Sequence, residues 1–299
     1  MILIWIKRYE SMLEDSPVLF SVGIITDVQY GIRENSGSSH FEESLQFLEE
    51  AILCFNKRGV EAVINLGDLV DSNESRHLDA AKKILSESRS QVINILGNHD
   101  LMGPTKKRNV LKSLGIKKTW GERFKKANWR FIAVDSTECS ILSGSFNQKD
   151  YQQILQKLKE RKDPCLQEWN GMASQNQMRE IKKLLEQSTV EKNNVLILNH
   201  MVTGTGSGSA AHRALNHQEL IELFNSSTCV CAQFNGHDHS GGFKTDQTSG
   251  IHYLTFPAIC DSGGKTSAHA IAHFSKNSIT IEGWGRALSR ELKCKRRDA

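Results

Sequence analysis

Five apolar runs in this 299-residue chain end in side chains that can bind a metal. Val18 to Thr26 leads into Asp27, with Gln29 two residues on; Ala62 to Leu66 leads into Gly67-Asp68. Val92 to Leu96 leads into Gly97-Asn98-His99-Asp100, Val195 to Leu198 into Asn199-His200, and Val230 to Phe234 into Gly236-His237-Asp238-His239. A single Asp or Asn after a strand is ordinarily a turn former or an N-cap. Five such ends in one chain point to a shared task, because the carboxyl ends of strands in an open α/β sheet gather on one edge and bind ligands there. His-x-His places two imidazoles on the same side of an extended chain, so His237 and His239 can serve two adjacent ions. Mixed oxygen and nitrogen donors suit Mn²⁺, Zn²⁺ or Fe, and the absence of cysteine from every tip argues against a structural zinc site. Two ions about 3.5–4 Å apart need a shared carboxylate, for which Asp68 is the natural candidate. Gly67 and Gly97 allow backbone to approach so crowded a site closely. Gln29 stands where Asp-x-His would be the commoner pattern; its amide oxygen is a weaker donor than imidazole.

These tips must be positioned by alternating strands and helices. Phe41, Leu45, Leu48, Ile52 and Phe55 recur at helical spacing with Gly59 as a stop, and a second helix is expected within Glu74 to Ser88. Arg130 to Val134 reads as a strand closing on Asp135-Ser136, Cys139 to about Gly171 as a loop-rich insertion, and Gln175 to Gln187 as a helix. Gly204 to Ser209 reads as a flexible loop, a connector or a mobile edge of the site. Ile251 to Phe256, Ala270 to Phe274 and Ser278 to Glu282 read as strands. The alternating first half predicts a largely parallel sheet, and the β-rich end a second sheet packed on it.

Taken in order, D-x-Q at 27–29, GDLVD at 67–71, GNHD at 97–100, NH at 199–200 and GHDH at 236–239 resemble the five blocks of the calcineurin-like metallophosphoesterases. Asp-x-Gln in the first block is similar to a narrower group, the manganese-dependent ADP-ribose/CDP-alcohol diphosphatases. Trp169 to Leu185, with Asn170-Gly171 and Gln177, and the run from Leu215-Asn216 to Gly250-Ile251-His252 resemble that group too. The resemblance implies a four-layer α-β-β-α sandwich of the metallo-dependent phosphatase type. It implies one ion held by Asp27, Gln29, Asp68 and His239, a second held by Asp68, Asn98, His200 and His237, and Mn²⁺ as the favoured metal, with Mg²⁺, Zn²⁺ or Fe²⁺ as alternatives. It also implies a proton donor at His99, with Asp100 orienting it. Asp71 is either a support to these residues or a plain loop residue. The implied activity is cleavage of the diphosphate bond of ADP-ribose or CDP-alcohols; the competing activities are cyclic-nucleotide phosphodiesterase and general phosphomonoesterase. A non-catalytic scaffold has no need for His99, and a nuclease would bring an extension that is not evident.

Composition agrees with a soluble globular chain: 38% hydrophobic, 24% charged, four prolines and no dividing Pro/Gly-rich run. The net charge of +4 comes partly from Lys/Arg runs not interleaved with aromatics, which disfavours nucleic acid and suits a small anionic substrate. Met1 to Ile6 is too short for a bilayer span of about 20 residues and is followed by its charges, so residues 1–17 read as an extension to a single domain over 18–299. Seven cysteines without a C-x-x-C pair read as free thiols in a reducing cytosol, with Cys229 and Cys231 as small buried apolar residues. A cytoplasmic monomer with no membrane partner is expected. His212 and His217 are either surface histidines or substrate contacts; His252, His269 and His273 are read as structural.

Overall fold

The computed structural model describes residues 17–262 and 266–294, so the expected N-terminal extension lies almost wholly outside the described residues. In chain order the elements are β1 Phe20–Ile25, α1 Ser44–Arg58, β2 Ala62–Asn65, α2 Ser75–Leu85, β3 Gln91–Asn94, α3 Lys107–Ser113, β4 Gly121–Lys126, β5 Trp129–Ala133 and α4 Lys149–Arg161. There follow α5 Gln175–Val190, β6 Asn194–Leu198, α6 His217–Asn225, β7 Val230–Asn235, β8 Gly242–Thr245, β9 His252–Thr255, β10 Ala270–Phe274, β11 Ser278–Gly283 and β12 Arg290–Lys293.

The strands form two six-stranded sheets, β12-β11-β10-β1-β2-β3 and β4-β5-β6-β7-β9-β8. The expected two-sheet sandwich is present, but the C-terminal strands β10 to β12 extend the first sheet, and the second sheet is built from the middle of the chain. The reason lies at β1, which pairs in parallel with β2 on one side and needs a partner on the other; β10 supplies it antiparallel, Ile24 facing Ala270. Parallel strands with helices outside are apolar on both faces, which is why these strands read as largely hydrophobic runs. Val22 and Ile24 of β1 point between the sheets, toward a cluster with Trp129, Phe131, Leu196 and Phe274. Ile25 of the same strand points outward to Leu48, Ile52 and Phe55 of α1. On the far side Ile132, Val195 and Ile197 pack under Ile181, Leu185 and Phe224 of α5 and α6. The layer order is therefore helix, sheet, sheet, helix.

Three strands carry no apolar pattern in the sequence: β4 (GERFKK), β8 (GFKT) and β12 (RELK). All three are sheet edges, where charged side chains block pairing with other chains and one flank faces water. The segment expected to be loop-rich contains α4, whose Tyr151, Ile154 and Leu158 lie at helical spacing against Cys139, Cys165 and Met172.

The ring of Phe274 stacks on Phe20 at 4.8 Å with an interplanar angle of 4° and meets Trp129 edge-on at 4.9 Å. It is fully buried at the centre of the inter-sheet core. Phe274→Ala is expected to cost about 3–5 kcal/mol of unfolding free energy, measured by denaturant titration; a loss under about 1 kcal/mol would show that the two sheets repack without it.

Candidate dimetal centre

All five polar tips sit at the carboxyl ends of β1, β2, β3, β6 and β7, and they converge. Asp68, His200 and His237 each offer a ligand atom within 4.8 Å of the other two. His200 Nε2 lies 3.1 Å from Asp68 Oδ2 and 3.1 Å from Asn98 Oδ1. On the other flank of Asp68, Gln29 Nε2 donates to Oδ2 at 3.3 Å and lies 3.1 Å from His239 Nε2, which is itself 3.7 Å from Asp27 Oδ1. Asp68 Oδ2 therefore faces both groups of donors.

The backbone bends sharply to achieve this. Among the described residues seven non-glycines have positive φ, and four of them are Asp27 (48°), Gln29 (43°), Asp68 (54°) and His237 (69°). Such conformations are costly for side chains with a Cβ and survive where the surroundings over-determine them. Here Asp27 N–H donates to Gly67 O, Gln29 N–H to Asp68 O, and His237 N–H to the Asp27 carboxylate. Gly67 and Gly97 fill the role expected of them: a Cβ on Gly97 would lie 2.1 Å from Asp68 Oδ1, and one on Gly67 2.6 Å from His200 Nδ1.

Each imidazole is oriented by a hydrogen bond from its other nitrogen, which sets the tautomer. His200 Nδ1 donates to Leu66 O at 2.9 Å, which leaves Nε2 as the nitrogen that faces Asp68 and Asn98 and that a cation would engage. Asn170 Nδ2 is spoken for by Cys165 O and Ala211 O, both at 2.8 Å, so its Oδ1 accepts from His237 Nε2 at 2.9 Å and leaves Nδ1 unprotonated. His239 Nδ1 faces Asp261 Oδ1 at 3.4 Å, leaving Nε2 toward Gln29 and Asp27. Gln29 turns its Oε1 toward Cys260 Sγ, 3.9 Å away. A carboxamide rotated by half a turn exchanges oxygen and nitrogen with almost no change in shape, so the oxygen can face a cation in the same place.

The electrostatics ask for such a cation. Asp27, Asp68 and Asp100 are all fully buried, and buried carboxylates are costly unless cations or several donors compensate them. Burial raises the Asp27 pKa, although His200 and His239 pull the other way. Burial also lowers the His237 pKa far below its usual value, helped by the adjacent His200, which keeps the ring neutral and available as a donor. The chemistry and orientation of Asp27, Gln29, Asp68, Asn98, His200, His237 and His239 thus fit two divalent cations.

His99 lies beside these residues and lines the cavity above them. Its Nδ1 donates to Asp71 O at 2.9 Å and is 3.5 Å from Asp71 Oδ1. Asp100, expected to orient His99, does something else: it accepts N–H bonds from Gly97, Asp68 and Leu69, tying two tips together from beneath. The orienting carboxylate is Asp71, itself paired with Arg33 at 3.0 Å. The reason is local geometry: His99 and Asp100 begin a 3₁₀ turn, whose successive side chains point in different directions. Burial pulls the His99 pKa down, but the Asp68 charge and the Asp71 contacts outweigh it and raise it to about 9. Cations neutralising Asp68 would leave the Asp71 contacts as the retained cause.

Asp261 escaped the sequence reading. It accepts from Ser38 and Ser39 at 3.0 and 2.7 Å besides facing His239. Burial opposes its ionisation, but these partners hold its pKa below the usual carboxylate range. Its one sequence signal is that a long apolar run from Ile251 ends in Cys260-Asp261. The segment after β9 crosses back to the first sheet there, with Ile259 and Cys260 N–H bonding to Thr26 and Asp27 carbonyls. The Gly/Ser loop is a fastened strap rather than a mobile edge: Ser207 is buried, its carbonyl accepts from Thr255 Oγ1 at 2.7 Å, and Ser209 N–H donates to Asp238. His212 lines the cavity, edge-on to His237 at 5.1 Å. His217 is buried and bonds Ala214 O, while His252, His269 and His273 are buried in structural contacts.

This fold and site define a class of metal-dependent phosphohydrolases. The calcineurin-like phosphoesterase family model matches residues 20–241, and the chain belongs to that family. Within it, the chain is similar to the manganese-dependent ADP-ribose/CDP-alcohol diphosphatase of Mus musculus, 24% identical over 97% of each chain. It is 25% identical to the protein of the same name from Oryza sativa subsp. japonica, over 92% of this chain and 94% of that one. A dimetal phosphatase from Danio rerio shares the fold with a TM-score of 0.83 at 22% identity, over 93% of this chain and all of that one.

Removing Asp261 should loosen a cation that His239 would help to hold. Asp261→Ala is expected to lower metal affinity about 10- to 100-fold with circular dichroism unchanged; undiminished metal content after dialysis would show that His239 is oriented by something else.

Proposed function

We propose that this protein cleaves the diphosphate bond of nucleoside diphosphate-linked small molecules, ADP-ribose and CDP-alcohols among them, with two Mn²⁺ ions. The products are a nucleoside monophosphate and a phosphorylated fragment. The observation that carries the reading is a cavity of about 530 Å³ with Gln29, Asp68, Asn98, His237 and His239 on its floor and His99 on its wall. That size suits a nucleotide-sized ligand. The diphosphatase names of the relatives, and Gln29 in place of a histidine, support this substrate class over a simple monoester.

In this reading Asp27, Gln29, Asp68 and His239 hold one ion, and Asp68, Asn98, His200 and His237 the other. Two ions so held supply Lewis acidity toward phosphoryl oxygens and lower the pKa of water to near neutrality. The chain's own residues do the rest. His200, His237 and His239 present lone pairs because Leu66 O, Asn170 and Asp261 hold their other nitrogens. Asp100 keeps the β2 and β3 tips in register by collecting their N–H groups. His99, protonated and with Nδ1 committed to Asp71, has Nε2 left to donate a proton to the leaving phosphate oxygen.

Three measurements test this. His99→Ala is expected to lower kcat about 10²- to 10⁴-fold on a diphosphate substrate while metal content stays at two ions; unchanged turnover would remove the proton donor from the mechanism. Chelation should abolish release of AMP from ADP-ribose and Mn²⁺ should restore it, whereas preference for a cyclic nucleotide or an aryl phosphate in the same panel would overturn the substrate class. Gln29→His, exchanging a weak donor for a strong one, should slow loss of metal on dialysis; identical retention and selectivity would exclude Gln29 as a ligand.

A further inference from the structure

Trp169 stands apart from the other tryptophans described. Trp129 is fully buried and donates Nε1–H to Ser275 O, Trp284 stacks on His269 at 5.1 Å, and Trp120 lies under the Lys118 ammonium. Trp169 instead is 41% exposed, and it is exposed into the wall of the cavity above the metal donors. Its one ring contact among the described residues is a tilted one with His212, centroids 6.3 Å apart. A large aromatic surface left facing a polar cavity forgoes burial that its size would otherwise favour, so its position calls for a covering group.

Its placement is rigid on both sides. The next residue, Asn170, is buried and bound through its side chain to Cys165 O, Ala211 O and His237 Nε2. The ring's neighbour His212 packs edge-on against His237. The indole is thus referenced twice to the same imidazole on the cavity floor. Met102, 38% exposed, is the other large apolar side chain lining the cavity, and it follows directly on the turn that carries His99. The rest of the lining is polar, and the carboxylate of Asp238 within it is already committed to the backbone N–H groups of Ser209 and Ser240.

We propose that Trp169 is the specificity-determining platform on which the planar base of the substrate stacks, with Met102 as a second apolar contact. This rests on the nucleoside diphosphate reading above and sharpens it: recognition comes through the π-face of the base, which adenine and cytosine share. Stacking of this kind is sequence-tolerant because every base offers a face. It accounts for one site accepting both purine- and pyrimidine-linked substrates without a base-specific hydrogen-bond pattern.

The test compares two substrates on the Mn²⁺-loaded enzyme: ADP-ribose, and a diethyl diphosphate that has the same scissile bond and no base. Trp169→Ala should raise KM for ADP-ribose about 5- to 150-fold with a far smaller change in kcat. The effect on the dialkyl compound should be at least tenfold smaller, and Trp169→Phe should recover most of the loss. Equal effects on both substrates, or none on either, would overturn the platform. A parallel titration separates this from failure of the substrate reading. If the wild type turns over neither compound but binds AMP more tightly than ribose 5-phosphate, and Trp169→Ala erases that difference, the platform stands alone. If Trp169→Ala leaves the AMP preference intact, or the wild type has none, the platform is wrong whatever the enzyme hydrolyses.

Discussion

Everything in this site leans on the buried carboxylate of Asp68. One oxygen takes the backbone N–H of His99 at 2.8 Å, and the other faces His200 on one side and Gln29 on the other. Its own backbone N–H is held by Asp100 and its carbonyl by Gln29 N–H. One residue therefore links the tips of β1, β2, β3 and β6. A fully buried carboxylate next to two others can be tolerated only where positive charge is brought to it. That requirement explains why histidines from the ends of β6 and β7 close around this point.

The arrangement stores strain in the backbone and settles it through the two sheets. Asp27, Gln29, Asp68 and His237 all adopt left-handed conformations, and each is pinned by a partner from a different strand end. The pinning works because the strands beneath are held from both faces: Ile24, Ile64 and Ile93 sit side by side in parallel register in the first sheet, all turned toward the inter-sheet core. A close-packed apolar core under a strained edge is what holds seven polar side chains in their mutual arrangement.

The walls of the cavity are built differently from its floor. The floor belongs to strand ends, whereas the walls come from connections: the β1–α1 loop with Ser38 and Ser39, the turn carrying His99 and Met102, and the segment between α4 and α5 that carries Trp169. These connections are tied back to the floor, the first through Asp261 and the last through Asn170. The walls of the cavity are thus joined mechanically to its floor through the histidines His239 and His237.

The sequence by itself determined the tips and the strands that carry them. Asp27, Asp68, Asn98, His200, His237 and His239 each follow an apolar run, and a strand buried on both faces is easily read because most of its positions are hydrophobic. Gly67 and Gly97 were legible for the same local reason, the absence of a side chain beside an acidic tip. What the sequence did not determine is whatever depends on direction or on distant partners. The edge strands β4, β8 and β12 carry charges where a core strand carries valine, so no periodicity marks them. The sheet that receives β10 to β12 depends on which side of β1 stands open, a property of the assembled sheet. Asp71 and not Asp100 supports His99 because a 3₁₀ turn aims neighbouring side chains apart, and residue spacing carries no record of that. Asp261 reaches His239 because the chain crosses between sheets after β9, and Trp169 faces the cavity beside Asn170, which is fastened to His237. Local chemistry is written along the chain; orientation is decided where strands from different parts of it meet.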